Sequence, residues 1–98
     1  MIKCFEPNLT AADTNAVLKV LETKVLAFGP NVSQFEEDYK KFSKKKYNIG
    51  FNSASSAAYL LYQYLYEKHG SCRVYTPSNG FVSPVYAAIK NGHEVIFV

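Results

Sequence analysis

The sequence predicts an α/β fold with a parallel sheet, and three observations carry that expectation. Residues 47–98 alternate strand-like and helix-like stretches: 47–52, 55–68, 72–76, 81–91 and 94–98 in turn. Strands joined by helices run parallel, because the crossover helix returns the chain to the same end of the sheet. The run Asn52-Ser53-Ala54-Ser55-Ser56-Ala57-Ala58 stands between an alternating segment (Tyr47, Ile49, Phe51) and a strongly apolar run from Ala57 to Tyr66. Finally, Glu94-Val95-Ile96-Phe97-Val98 is almost continuously apolar, as expected of a strand covered on both faces.

The first half is helical by its own signals. Thr10 with Asp13 three residues on has the form of a helix N-terminus. Val17, Leu18, Leu21 and Val25 then recur on one face of a helix running to about Lys24. Gly29-Pro30 stops and turns the chain. A second helix is predicted over 31–45, where Val32, Phe35, Tyr39 and Phe42 form one apolar stripe. Glu36 with Lys40, and Glu37 with Lys41, stand four apart in the favoured order for helix ion pairs. Ahead of all this, Ile2, Cys4 and Phe5 make a short apolar start that Pro7-Asn8 breaks.

The second half adds turns. Thr76-Pro77-Ser78-Asn79-Gly80 is a loop, and Pro84 is compatible with helix 81–91 only in its first turn. Asn91-Gly92 ends that helix. In a parallel sheet, ligands gather at the carboxyl ends of the strands. The 52–56 turn and the 76–80 loop both fall at such ends. A turn of small hydroxyl residues opening a helix offers unpaired N–H groups and a positive dipole end, which suit a phosphate. The hydroxyls of Ser53, Ser55 and Ser56 are further donors, and plain N-capping is the alternative use of the same residues.

Composition bounds the remainder. Apolar residues make up 48% and charged residues 19%, as in a globular chain. Eight Tyr and seven Phe demand either a large core or an interface that 98 residues alone cannot cover. A net charge of +3 is too mild to argue for nucleic acid. Lys40, Lys41, Lys44, Lys45 and Lys46 suit the C-terminal end of a helix, with a polyanion patch as the alternative. Cys4 and Cys72 have no metal-ligand spacing and fit reduced thiols; His69 and His93 have no ligand partner nearby in sequence. No metal site and no catalytic residue is assigned. The N-terminus lacks a signal-peptide pattern, and no apolar run approaches the ~20 residues of a membrane span. Walker, dinucleotide and nucleophile-elbow patterns do not occur. Because the chain ends inside an apolar strand, it reads as the front part of a larger domain.

The order of these segments resembles the N-terminal part of the DegT/StrS-type sugar aminotransferases. The family's "W-L-T-x-G-P" turn is similar to Val25-Leu26-Ala27-Phe28-Gly29-Pro30, and its "V-x-x-F-E-E" helix to Val32 through Glu37. Its "N-S-G-T-S-A-L" turn resembles Asn52 through Ala58. Its "T-P-S-x-T-F-V-A" stretch resembles Thr76 through Ser83, and its "G-x-x-P-V-F-V" strand Gly92 through Val98. The sequence departs from the family at Ala54 (usually Gly), Ser55 (usually Thr) and Gly80 (usually Thr).

The resemblance implies a partial fold-type I transferase large domain, with residues 1–98 as the incomplete N-terminal part of one domain. It implies pyridoxal 5'-phosphate (PLP) as cofactor, its phosphate held at Ala54 and Ser55, with Phe81 stacking on the pyridine ring and Ser78 lining the same pocket. For Phe81 a place in the core is the alternative. The implied reaction passes an amino group from a donor such as glutamate to a nucleotide-linked keto sugar, a step in polysaccharide biosynthesis. The implied enzyme is a cytoplasmic homodimer without nucleic-acid or membrane partners. The family's Schiff-base Lys and the Asp that pairs with the pyridine nitrogen have no match in these residues, so this chain alone is not expected to transaminate. A non-catalytic pseudoenzyme or interaction module is the second reading. In the sheet, the resemblance implies that 72–76 and 94–98 pair in parallel while 47–52 has no partner here; sequence order alone would make all three neighbours.

Overall fold

The computed structural model describes residues 5–98, so the apolar start at Ile2 and the thiol of Cys4 lie outside the described residues. The chain forms two compact units, one through Gly50 and one from Phe51 to Val98.

The first unit holds α1 (Ala11–Thr23) and α2 (Pro30–Ser43). Thr10 caps α1 as its sequence predicts. Its hydroxyl accepts the Asp13 N–H, and the Asp13 carboxylate accepts both the Thr10 N–H at 2.7 Å and the Thr10 hydroxyl at 2.6 Å. These bonds, from the Thr10 side chain first and its amide second, hold the Asp13 pKa below the ordinary 3.8. A carboxylate with a lowered folded pKa contributes stability that is complete above the unfolded value. That stability is lost as pH falls through the folded value. Acidification below about pH 4 is therefore expected to fray the first turn of α1. Amide exchange at Asp13 and Thr14, relative to intrinsic rates, checks this: protection should fall there on acidification, and less so in Thr10→Val, which keeps only the bond from the residue-10 N–H to Asp13.

Both helices of this unit end on lysine in the left-handed region, Lys24 at φ 58° and Lys44 at φ 55°. Glycine normally takes that conformation, and a side chain there costs about 1 kcal/mol. The turn at Lys44 is why α2 stops at Ser43 and not at the predicted Lys45. Pro30 opens α2 at its first position, where its missing N–H costs nothing. The predicted stripe forms and packs on itself, with Phe35 against Tyr39 at 6.0 Å and Tyr39 against Phe42 at 5.8 Å between ring centres. The ion pairs shift by one residue. Glu37 meets Lys40 at 3.1 Å and Asp38 meets Lys41 at 2.9 Å, because Glu36 turns away to accept the Gly50 N–H at 2.7 Å. Gln34 and then Lys41 hold the Asp38 carboxyl below its usual range.

Residues 47–52 form no strand, which corrects the sequence expectation. A strand persists only when its N–H and C=O groups have a ladder to join. The one sheet of the described residues has two strands, β1 (Arg73–Thr76) and β2 (Glu94–Phe97). They pair in parallel with Arg73 opposite Glu94 and Thr76 opposite Phe97, as the resemblance implies.

The second unit also contains α3 (Ala54–His69) and α4 (Val82–Lys90). Pro84 occupies the third position of α4, inside the first turn as expected. The far end of α4 closes in a Schellman turn: Gly92 N–H donates to Ile89 O, His93 N–H to Ala88 O, and Gly92 sits at φ 80°. The core here is small. Ala87 and Ala88 of α4 are the buried apolar residues among those described, and His93 is the buried polar one. The Nδ1 of His93 accepts the Cys72 N–H at 3.0 Å, and its Nε2 lies 2.8 Å from the Tyr62 carbonyl, which can only accept. The ring is therefore the neutral form protonated at Nε2. Tyr62 and Tyr66 flank it at 5.4 and 5.8 Å.

Candidate functional site

The start of α3 is built from Asn52 to Ser56. Ser53 is extended (φ −159°, ψ 154°) and its Oγ accepts the Ser56 N–H at 3.1 Å. The Ser56 hydroxyl donates to Asn52 Oδ1 at 2.9 Å, which makes Ser53 the donor in the 2.9 Å contact between the two hydroxyls. Ser53 and Ser56 are thus occupied in the cap and not spare donors, contrary to one sequence expectation. What remains is the N–H of Ala54, the N–H of Ser55 and the Ser55 hydroxyl, none of which has a hydrogen-bond partner among the described residues. Three free donors thus stand at a positive helix end, where an anion is favoured.

The start of α4 has a related character. Phe81 is its N-cap and supplies no side-chain bond. The third position is Pro84, without an N–H, so only the amides of Val82 and Ser83 stand free there. An open cleft of about 560 Å³ lies between the first turns of the two helices. Ser55 and Ser56 line it from α3, and Val82, Ser83 and Tyr86 from α4.

Of the four residues singled out by sequence, Ser55 lines this cleft and Ala54 sits beside it as the first residue of α3. Ser78 lies in the exposed turn before α4, and Phe81 is 79% exposed at the junction. Phe81 therefore takes no place in a core formed by the described residues, and its ring is open to a ligand. Sequence reasoning missed Ser83, Tyr59 and Tyr86. The available signal was spacing: Tyr59 is one helical turn beyond Ser55, and Ser83 falls at the start of the next helix. No group of acidic, histidine or cysteine side chains among the described residues could hold a metal, and none of their helices is long and apolar enough to cross a membrane.

The fold and the serine turn describe an α/β chain with free donors at a helix start, and comparison with known proteins identifies its family. The chain belongs to the DegT/DnrJ/EryC1/StrS aminotransferase family, whose profile matches residues 7–98. It is 33% identical over 93 residues to a UDP-4-amino-4,6-dideoxy-N-acetyl-beta-L-altrosamine transaminase of Helicobacter pylori (strain ATCC 700392 / 26695), covering 94% of this chain and 25% of that protein. It is 32% identical over 98 residues to the transaminase of the same description from Campylobacter jejuni subsp. jejuni serotype O:23/36 (strain 81-176), covering 100% of this chain and 26% of that protein. The chain thus spans about a quarter of the length of these relatives. No solved structure gives a significant match.

Proposed function

We propose that this chain is the N-terminal, phosphate-holding part of a PLP-dependent aminotransferase acting on a nucleotide-linked keto sugar, with an amino acid such as glutamate as donor. The observation that carries the proposal is the pair of free amides at Ala54 and Ser55, joined by the free Ser55 hydroxyl, at the mouth of an open cleft. These groups fit the cofactor's phosphate. The methyl of Ala54 fits because the first position of a helix presents its N–H outward whatever its side chain. The exposed ring of Phe81 offers a flat face for the pyridine, and Ser78 stands in the same connecting turn. When bound, PLP supplies the electron sink for amino transfer.

The family's Schiff-base Lys and the Asp that pairs with the pyridine nitrogen have no match in these residues, and on this reading the chain alone does not transaminate. On this reading the whole enzyme is a fold-type I transferase in which residues 1–98 are the N-terminal part of the large domain, working as a cytoplasmic homodimer in polysaccharide biosynthesis. The relatives' names carry a UDP-linked dideoxy amino sugar, and a nucleotide-linked sugar is the substrate class taken over here.

The test is amide NMR of the labelled chain during titration. PLP and inorganic phosphate are each expected to shift the Ala54 and Ser55 amides, and pyridoxal without its phosphate is not. Ser55→Ala should weaken phosphate binding about tenfold, the value of a hydrogen bond to a charged group. No borohydride-reducible label at a single lysine and no transamination should be found. Shifts confined to the Lys40–Lys46 segment, with none at Ala54 and Ser55, would reject the site in favour of a basic patch.

A further inference from the structure

Three consecutive residues after α4 grip α3 at three points. The Asn91 Nδ2 donates to the Tyr59 carbonyl at 3.2 Å while also donating to Ala87 O at 2.8 Å. A Cβ on Gly92 would stand 2.9 Å from the Tyr66 ring, so only glycine lets that ring lie against the turn. His93 Nε2 donates to the Tyr62 carbonyl at 2.8 Å. The gripped positions are 59, 62 and 66, spaced three and four apart along one side of a helix. Ser55 belongs to the same stripe, since it precedes Tyr59 by one turn. At 100° per residue these four positions share an arc of about 60°.

The turn therefore fixes more than the distance between helices. Three contacts along one stripe fix the rotation of α3 about its own axis, and that rotation decides which way Ser55 faces. We propose that Asn91 and His93 are positioning residues for the phosphate site: through Tyr59 and Tyr62 they hold α3 so that Ser55 faces Ser83 of α4 across the cleft. Asn91 has the more direct effect, because Tyr59 is the gripped residue nearest Ser55. Its bond to Ala87 ties that grip to α4 itself, so one side chain spans both walls of the cleft. Neither Asn91 nor His93 lines the cleft, so both act through the residues they hold and not on a ligand.

The inference rests on the proposed phosphate site for its purpose, but its test needs no ligand, so failure of phosphate to bind and failure of the grip are separate results. Nitroxide labels are placed at Ser55→Cys and Ser83→Cys in the full chain carrying Cys4→Ser and Cys72→Ser. Dipolar broadening in frozen solution, with the labelled chain diluted in an excess of unlabelled chain so that only pairs within one molecule couple, then reads the population in which the two positions face each other. The parent should be strongly coupled. Asn91→Ala, and Asn91→Asp, which keeps the size but has no N–H to give, should each lower the coupled-to-uncoupled ratio about fivefold, the shift produced by losing one hydrogen bond. Helix content, read by circular dichroism, should stay at the parent's level. An uncoupled parent overturns the inference, as does coupling unchanged in a variant that keeps its helices. Loss of helix in both variants overturns it too, since the grip would then serve folding alone.

Discussion

In solution the 98-residue chain is expected to associate through its apolar faces and to show no single cooperative unfolding transition as a monomer. The reason is the imbalance between apolar side chains present and apolar side chains covered. Phe28, Phe42 and Phe81 are each more than three-quarters exposed, and α1, α2 and α3 bury no residue. Full burial of a large apolar side chain contributes about 1.5–3 kcal/mol, and among the described apolar residues only the small Ala87 and Ala88 are fully covered while Tyr62, Leu65, Val74, Val85, Val95 and Ile96 are half-buried. Ordering each residue costs about 1–2 kcal/mol of backbone entropy, so the stabilising side is short. Both strands of the sheet are edge strands, which adds unpaired backbone groups to the exposed apolar area. Sedimentation velocity with dye binding checks this: species larger than a monomer and strong dye fluorescence are expected. A well-behaved monomer with one sharp thermal transition would show that the faces are covered in some other way.

Within the second unit, His93→Ala is expected to have the largest effect of any single substitution. It removes the acceptor of the Cys72 N–H, the donor to Tyr62 O and the ring between two tyrosines. A stranded buried N–H costs about 1–3 kcal/mol, and the emptied space adds to it. A total of about 3 kcal/mol corresponds to more than a hundredfold faster hydrogen exchange in peptides covering 70–76 and 93–98. Exchange mass spectrometry reads this even in an associated sample. His93→Asn places its Oδ1 where Nδ1 stands and keeps the bond from Cys72, so its effect should be clearly smaller. Equal exchange in parent and His93→Ala would mean that the histidine does not hold β1 to α3.

The local features of this chain were legible in its sequence because neighbours in sequence determine them. The Thr10–Asp13 box, Pro30 and Pro84 in first turns, the Phe35–Tyr39–Phe42 stripe and the Asn91-Gly92 stop all depend on residues within one or two helical turns. So did the serine turn that opens α3. The alternation of strands and helices already implied that β1 and β2 lie side by side in parallel, as they do; the family's word order added that 47–52 finds no strand partner among these residues.

Everything that needed a distant partner was decided by tertiary structure. Tyr47, Ile49 and Phe51 alternate like a strand, yet without a ladder the alternation has nothing to hold it, and Gly50 bonds to Glu36 instead. That bond in turn moved the predicted ion pairs to Glu37 and Asp38. The three serines looked equivalent in the sequence. Only the geometry of the cap occupies Ser53 and Ser56 and leaves Ser55 free, and only the packing of α3 on α4 puts Ser83 opposite it. His93 gave no sign in sequence of being the buried polar centre of its unit, because its partners are 21 and 31 residues away. Spacing along the chain specifies hydrogen bonds that close within a turn or two; bonds across such distances exist only once the helices and strands have met.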